Sequence, residues 1–177
     1  MSTHQDEGDR ATRGALGGDV VVRQEEPGFV ITEWKNVSIV VWGVQATLPR
    51  AAKLRDAGEA LIARHPEGIA SVQIIANGVA LPDSATRAEL DRLTNGFAPN
   101  LSCIATVLEG SGFWASAMRS FITSIHWVAR RPFKVRIGST LADAAAWIPA
   151  PHYERTRVRL GQAELLRALT STRERIR

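Results

Sequence analysis

GFVITEWKNVSIVVWG, residues 28–43, holds two β-branched runs, each closed by a tryptophan (Trp34 and Trp42), with Lys35 and Asn36 between them. β-Branched and aromatic side chains favour extended backbone, and a short polar pair suits a tight turn, so the stretch predicts an antiparallel hairpin. The second run is apolar at every position but Ser38. A strand with no wet face belongs in the middle of a sheet covered on both sides.

Working outward, Gly43 ends that strand, and Thr47, Leu48 and Pro49 open a helix in whose first turn the missing proline N–H costs nothing. Leu54, Ala57, Leu61 and Ile62 share one face of it, and Pro66 and Gly68 stop it after Arg64 and His65. The same alternation then repeats. Residues 69–76 read as a strand; Asp83 and Ser84 cap a helix that Gly96 halts near Asn95; residues 101–108 read as a strand; Gly110, Ser111 and Gly112 form a turn; and residues 113–129 read as a long apolar helix. Arg131-Pro132 breaks that helix, residues 133–137 are extended, and Ser139-Thr140 caps a short helix ending at Trp147-Ile148, before Pro149 and Pro151.

The order β-β-α-β-α-β-α-β-α predicts an α/β fold, a mixed and mostly parallel five-stranded sheet with helices packed on it, plus a C-terminal helix. Residues 1–27 read as a disordered or weakly ordered tail, 28–150 as the α/β domain, and 151–177 as a basic extension. That extension is helical from about Gln162, with Leu165, Leu166, Leu169 and Ile176 on one side.

A chain of 177 residues with 45% apolar and 23% charged positions can bury a core without a staple. The single Cys103 excludes an intrachain disulfide and a cysteine-rich zinc site. No run approaches the roughly 20 apolar residues that span a bilayer, and MSTHQDEGDRATRG has no apolar core of a secretory signal. Together these predict a cytoplasmic protein with no transmembrane segment. The net charge of +4 is uneven: residues 1–27 are acidic, while 151–177 carry seven arginines against Glu154, Glu164 and Glu174.

Chemistry-bearing patterns are sparse. Gly-x-Ser-x-Gly is absent, and the glycines at 110 and 112 lack the third member of a dinucleotide fingerprint and the Gly-Lys-Ser/Thr of a P-loop. His4, His65, His126 and His152 form no paired metal half-site, Glu89 and Asp91 point to different sides of a helix, and Cys103 lies mid-strand among apolar neighbours. The sequence therefore predicts no catalytic constellation, metal or cofactor.

Three features remain. Gly110, Ser111 and Gly112, supported by Arg119, could hold an anion on backbone N–H groups, or form only a tight turn. The third helix, with Phe113, Trp114, Met118, Phe121, Ile122 and Trp127, is apolar over most of its circumference. Arg155, Arg157, Arg159, Arg173, Arg175 and Arg177 invite a nucleic-acid or anionic-surface reading, set against a solvated helix with pairs such as Glu164 to Arg167 and Glu174 to its neighbours. The scarcity of aromatic stacking residues there argues against nucleic acid.

The order of elements resembles the small anti-sigma-factor-antagonist-like domains of the STAS superfamily and the wider group sharing the lipid-carrier CRAL-TRIO type of mixed sheet. The segments that carry this are VVWG, HPEG, a Pro-Asp-opened helix, EGSGF and DAAAWI, within residues 28–148. The resemblance implies a phosphorylatable serine at Ser84 of Asp83-Ser84-Ala85-Thr86, although Thr86 stands where the motif has glycine. The bland alternative makes Asp83 or Ser84 an ordinary helix cap.

The expected function is a non-enzymatic regulatory or adaptor module that meets a protein partner, or a second copy, through the third helix. The alternative is a binding protein or sensor for a small apolar or anionic ligand. A ligand site requires a cavity lined by side chains such as Trp114, Met118 and Phe121, whereas an adaptor leaves them exposed in a flat patch.

Overall fold

The structure, a computed structural model, describes residues 20–127 and 132–176, with side chains placed for all of these but 125–127. The elements run β1 (Val21–Glu26), β2 (Phe29–Trp34), β3 (Val37–Trp42), α1 (Leu48–Arg64), β4 (Ile69–Ile75), α2 (Ser84–Phe97), β5 (Leu101–Leu108), α3 (Gly112–Trp127), β6 (Lys134–Gly138), α4 (Leu141–Trp147), α5 (Pro149–Thr156) and α6 (Gln162–Arg173).

The strands form one sheet in the order β1-β2-β3-β4-β5-β6. The first two pairings are antiparallel and the other three parallel. The sheet thus has six strands where five were expected, and the expected hairpin is extended by β1 into a three-stranded antiparallel meander. The extra strand, β1, comes from the segment read as a tail. Exposed and half-buried positions alternate along VVRQEE, as in an edge strand, and the polarity of Arg23, Gln24, Glu25 and Glu26 hid it. Ion pairs fix it in place: Glu26 takes Arg50 and Lys53 of α1, which holds its carboxyl below the usual range, and Arg23 reaches Glu33 of β2. Residues 1–19 of the expected tail lie outside the described residues.

Because β3 to β6 follow one another across the sheet, right-handed crossovers set α1, α2 and α3 on the same face. The opposite face is covered by α4, α5 and α6. There Val37, Ile39, Val72, Ile74, Ala105 and Val107 pack against Ala144, Ala145, Ile148, Leu165, Ala168 and Leu169 in one continuous core. Residues 151–177 therefore supply much of a whole layer. Thr32 of β2 and Thr172 of α6 meet hydroxyl to hydroxyl at 2.7 Å within it.

Local signals explain most boundaries. Thr47 is the N-cap of α1, with proline in the first turn; Asp83 caps α2 by accepting from the Thr86 N–H at 2.7 Å; and Thr140 caps α4 by accepting from the Asp143 N–H at 3.1 Å. Two stops were read too early. Helix α2 continues through Gly96 to Phe97, and Pro149 and Pro151, instead of ending structure, open α5, where proline lacks only a donor the first turn does not use. The last two residues of the 113–129 helix lie outside the described residues.

Candidate functional site

Under α1, α2 and α3 the apolar side chains do not merge. They fall into three groups: Leu61, Ile69, Leu101, Ile104 and Phe133; Phe29, Ile31, Val40 and Trp42; and Leu108, Met118 and Ile122. Between these groups lies a cavity of about 160 Å³. Its floor is the sheet, through Ser38 and Trp42 of β3, Ser71 and Gln73 of β4, and Ile104 and Thr106 of β5. Leu54 and Gly58 of α1, Leu90, Leu93 and Phe97 of α2, and Met118, Phe121 and Ile122 of α3 form the roof, while Val79, Ala80 and Pro82 belong to the β4–α2 loop. Gln73 and Ile75 sit in a strand paired on both edges yet stay only half-buried, because the cavity lies over them.

Glycine shapes one wall. A Cβ at Gly58 would stand 2.6 Å from the Phe97 ring, so its absence lets α1 and α2 close over the sheet. The β4–α2 loop is tied from both sides: the Trp114 indole N–H donates to the Val79 carbonyl at 2.9 Å, and the Gln45 amide donates to the Leu81 carbonyl at 2.6 Å.

No described lining residue is charged, but the floor is not wholly apolar. The Trp42 indole N–H donates to Gln73 Oε1 at 2.8 Å, and Gln73 Nε2 donates to Ser71 Oγ at 2.8 Å. Ser38 stands beside Ser71 in the parallel register and opposite Glu33 in the antiparallel one. Glu33 is buried, its Oε2 bound by Arg23 and Arg64, while its Oε1 has no partner.

Of the third-helix residues singled out above, Met118 and Ile122 are buried and line the cavity together with half-buried Phe121. Trp114 packs beside them and turns its N–H to the loop; Phe113 is 90% exposed; and the Trp127 side chain lies outside the described residues. The Gly110–Gly112 turn follows from backbone geometry: Gly110 and Gly112 have φ of +119° and +74°, and a Cβ at Gly110 would strike Asn77. Ser111 and Arg119 are exposed, and among the described residues no hydrogen bond joins Arg119 to this turn.

At the start of α2 the side-chain cap is Asp83, and Ser84 is an exposed first helical residue. Apart from exposed Arg167, the described arginines of the C-terminal segment have internal partners. Arg173 binds Glu109 at 2.7 Å, Arg175 binds Glu25 at 3.1 Å, Arg155 donates to the carbonyls of Pro99 and Pro132, and Arg157 and Arg159 lie over the Tyr153 ring. Glu164 pairs with Lys35 rather than with Arg167, because the helix packs against the sheet and that exposed edge meets the β2–β3 turn. Arg177 lies outside the described residues.

On the opposite face a second polar group is closed off from solvent. His152 is fully buried, with Nδ1 2.8 Å from Ser102 Oγ and Nε2 3.1 Å from Asn36 Oδ1. Serine, histidine and asparagine in contact suggest nucleophilic chemistry, but all three are buried, so no substrate reaches them. Among the described residues no cluster of three His, Cys, Asp or Glu side chains could hold a metal, and no helix is long and apolar enough to cross a membrane.

The cavity floor escaped the sequence reading. Its signal was there, in polar residues interrupting apolar central strands: Ser38 in VSIVVW, Ser71 and Gln73 in IASVQII, and Thr106 in LSCIATVL. Partners such as Phe97, Leu93 and Leu54 carry no signal of their own beyond amphipathic spacing. The chain matches no family model, no curated protein and no solved structure, so the STAS resemblance stands on the sequence segments quoted above alone.

Proposed function

We propose that this protein binds a small, uncharged, mainly apolar molecule in the cavity between the sheet and α1 to α3. The observation that carries this reading is the cavity itself, about 160 Å³ in size and lined by residues from six elements without a charged side chain among those described. Empty apolar space of this size destabilises a core through lost dispersion contacts, and an engineered cavity of about 150 Å³ takes up benzene. A ligand that fills it restores those contacts. The absence of described charge in the lining favours a neutral ligand over the anionic one considered from the glycine turn.

Native mass spectrometry of freshly purified protein, followed by a melting-temperature screen with neutral fragments of six to ten heavy atoms, tests the reading. A ligand that binds only the folded state raises the Tm with concentration. Leu93→Phe, which fills the cavity from α2, should abolish that gain. A screen with no hit, or hits that Leu93→Phe leaves intact, would refute the proposal.

A second reading keeps the third-helix region as a contact between copies of the chain. Its support is Phe113, 90% exposed, with Leu48 and Leu81 also exposed at the carboxyl ends of neighbouring strands. Light scattering decides it. A dimer that Phe113→Asp converts to a monomer supports the reading, and a monomeric wild-type protein ends it.

A further inference from the structure

The two faces of the central strands differ in a way that burial alone does not require. Toward α4 to α6, strands β3, β4 and β5 present Val, Ile, Ala and Cys at positions 37, 39, 41, 70, 72, 74, 103, 105 and 107, and the polar Ser102 on that side already meets the Ile69 carbonyl and His152. Toward the cavity the same strands place Ser38, Ser71, Gln73 and Thr106. Gln73 and Ser71 bond to each other and Gln73 to Trp42, but a buried hydroxyl without a hydrogen bond is costly, so those left over on this floor call for a polar group to meet.

The hydrogen-bond inventory at the adjacent pair Ser38 and Ser71 defines that group. Ser71 Oγ already accepts from Gln73, which leaves its own proton to donate. Among the described residues the Ser38 hydroxyl has no partner, and directly across the antiparallel pairing stands Glu33, whose buried Oε1 lacks a donor. Among the described residues no hydrogen bond joins the two, so the Ser38 hydroxyl keeps its lone pairs free for a group in the cavity. Ser38 Oγ is then an acceptor facing the cavity. One donor and one acceptor side by side match a hydroxyl, the smallest neutral group that both accepts and donates.

The rest of the lining sets the body of the ligand. Trp42, Phe97 and Phe121, from a strand and two helices, bring flat aromatic walls to the space. The volume is that of a single ring. Resting on the reading of the cavity as a ligand site, we infer that its ligand is a neutral single-ring hydroxy-aromatic molecule, with the hydroxyl seated on Ser38 and Ser71 and the ring among the aromatic walls.

Isothermal titration of the full chain at pH 7 with p-cresol, p-xylene and p-toluate tests this, because the first two differ only in hydroxyl against methyl and the third carries a charge. The wild type is expected to bind p-cresol about tenfold more tightly than p-xylene and not to bind p-toluate. Ser38→Ala, which breaks no hydrogen bond of the unliganded protein, should bring the p-cresol to p-xylene ratio close to one. Thr106→Val, on the same floor but away from the serine pair, should leave it unchanged. Ser71→Ala gives a second check if the melting curve of Ser38→Ala departs from that of the wild type.

p-Xylene binding as tightly as p-cresol, p-toluate binding comparably, or a ratio untouched by both serine variants would overturn the hydroxyl assignment while the cavity reading survives. Binding of none of the three would overturn the hydroxy-aromatic assignment, and the fragment screen would then decide the cavity reading separately.

Discussion

Ser102 Oγ lies 2.8 Å from His152 Nδ1, at the point where the β4–β5 register slips by one residue to turn Ser102 toward α5. On the other side of the ring Asn36 Nδ2 donates to the Gly68 carbonyl, so it is Asn36 Oδ1 that faces the imidazole and Nε2 must carry the proton. In the neutral ring Nδ1 is an acceptor, and the single Ser102 proton is shared between it and the Ile69 carbonyl at 2.9 Å. Burial pushes the His152 pKa down from 6.5 to about 4.

A base whose folded pKa is depressed stabilises the protein above its unfolded value and loses that contribution as the pH falls through the folded one. The unfolded chain takes up a proton near pH 6.5 that the native ring refuses until about pH 4. Denaturant titrations at pH 7, 5.5 and 4 should show His152 contributing a loss of roughly 3 kcal/mol across that window. His152→Gln should remove that part of the slope, and an identical slope in the variant would refute the assignment.

The C-terminal helix is expected to behave as core. Leu169 is fully buried among Val, Ile and Ala of the sheet, so Leu169→Ala should lower stability by about 2–5 kcal/mol in chemical denaturation. The exposed Arg167→Ala on the same helix should change it by no more than about 0.5 kcal/mol. Equal effects would mean that α6 does not pack as described.

Cys103 faces the same core, and burial pushes its thiol up to about 11. Only the thiolate is a nucleophile, so a thiol reagent should leave the native protein unlabelled at pH 8 and react fully once denaturant is added. Rapid labelling of the native state would contradict the burial.

Helix α2 offers a separation between the two readings of its first turn. Asp83 accepts from the Thr86 N–H, which holds its carboxyl below the usual range. Asp83→Ala should therefore lower the Tm, and Ser84→Ala should not. Incubation with lysate and ATP, followed by intact-mass measurement, then asks whether Ser84 takes a phosphate. A chain unmodified there would leave the Asp-Ser pair with capping as its only role.

Where alternation was strong, the sequence was sufficient. The hairpin at 28–43, the central place of Val37–Trp42 and the caps at Thr47, Asp83 and Thr140 all follow from local chemistry. What local chemistry does not carry is the identity of a partner across space. β1 reads as polar coil because its side chains are matched by Arg50, Lys53 and Glu33, far along the chain. Arg173 and Arg175 read as a free basic tail because Glu109 and Glu25 are 64 and 150 positions away. The polar floor of the cavity is written into the strands, but the gap above it shows only once three helices are seen to stop short of a common core, because no periodicity records a gap.

The sequential strand order has a consequence for biosynthesis. Each strand finds its neighbour next in the chain, so the sheet can assemble by accretion as the strands are made. The cover for β2 and β3 on one side, however, is α6, which follows every strand in the chain. Before α6 is made, Val30, Ile39 and Val41 lack that cover. A nascent chain stalled before Gln162 should accordingly be a strong client for chaperones that clasp apolar β-sheet, and a chain that carries α6 should not.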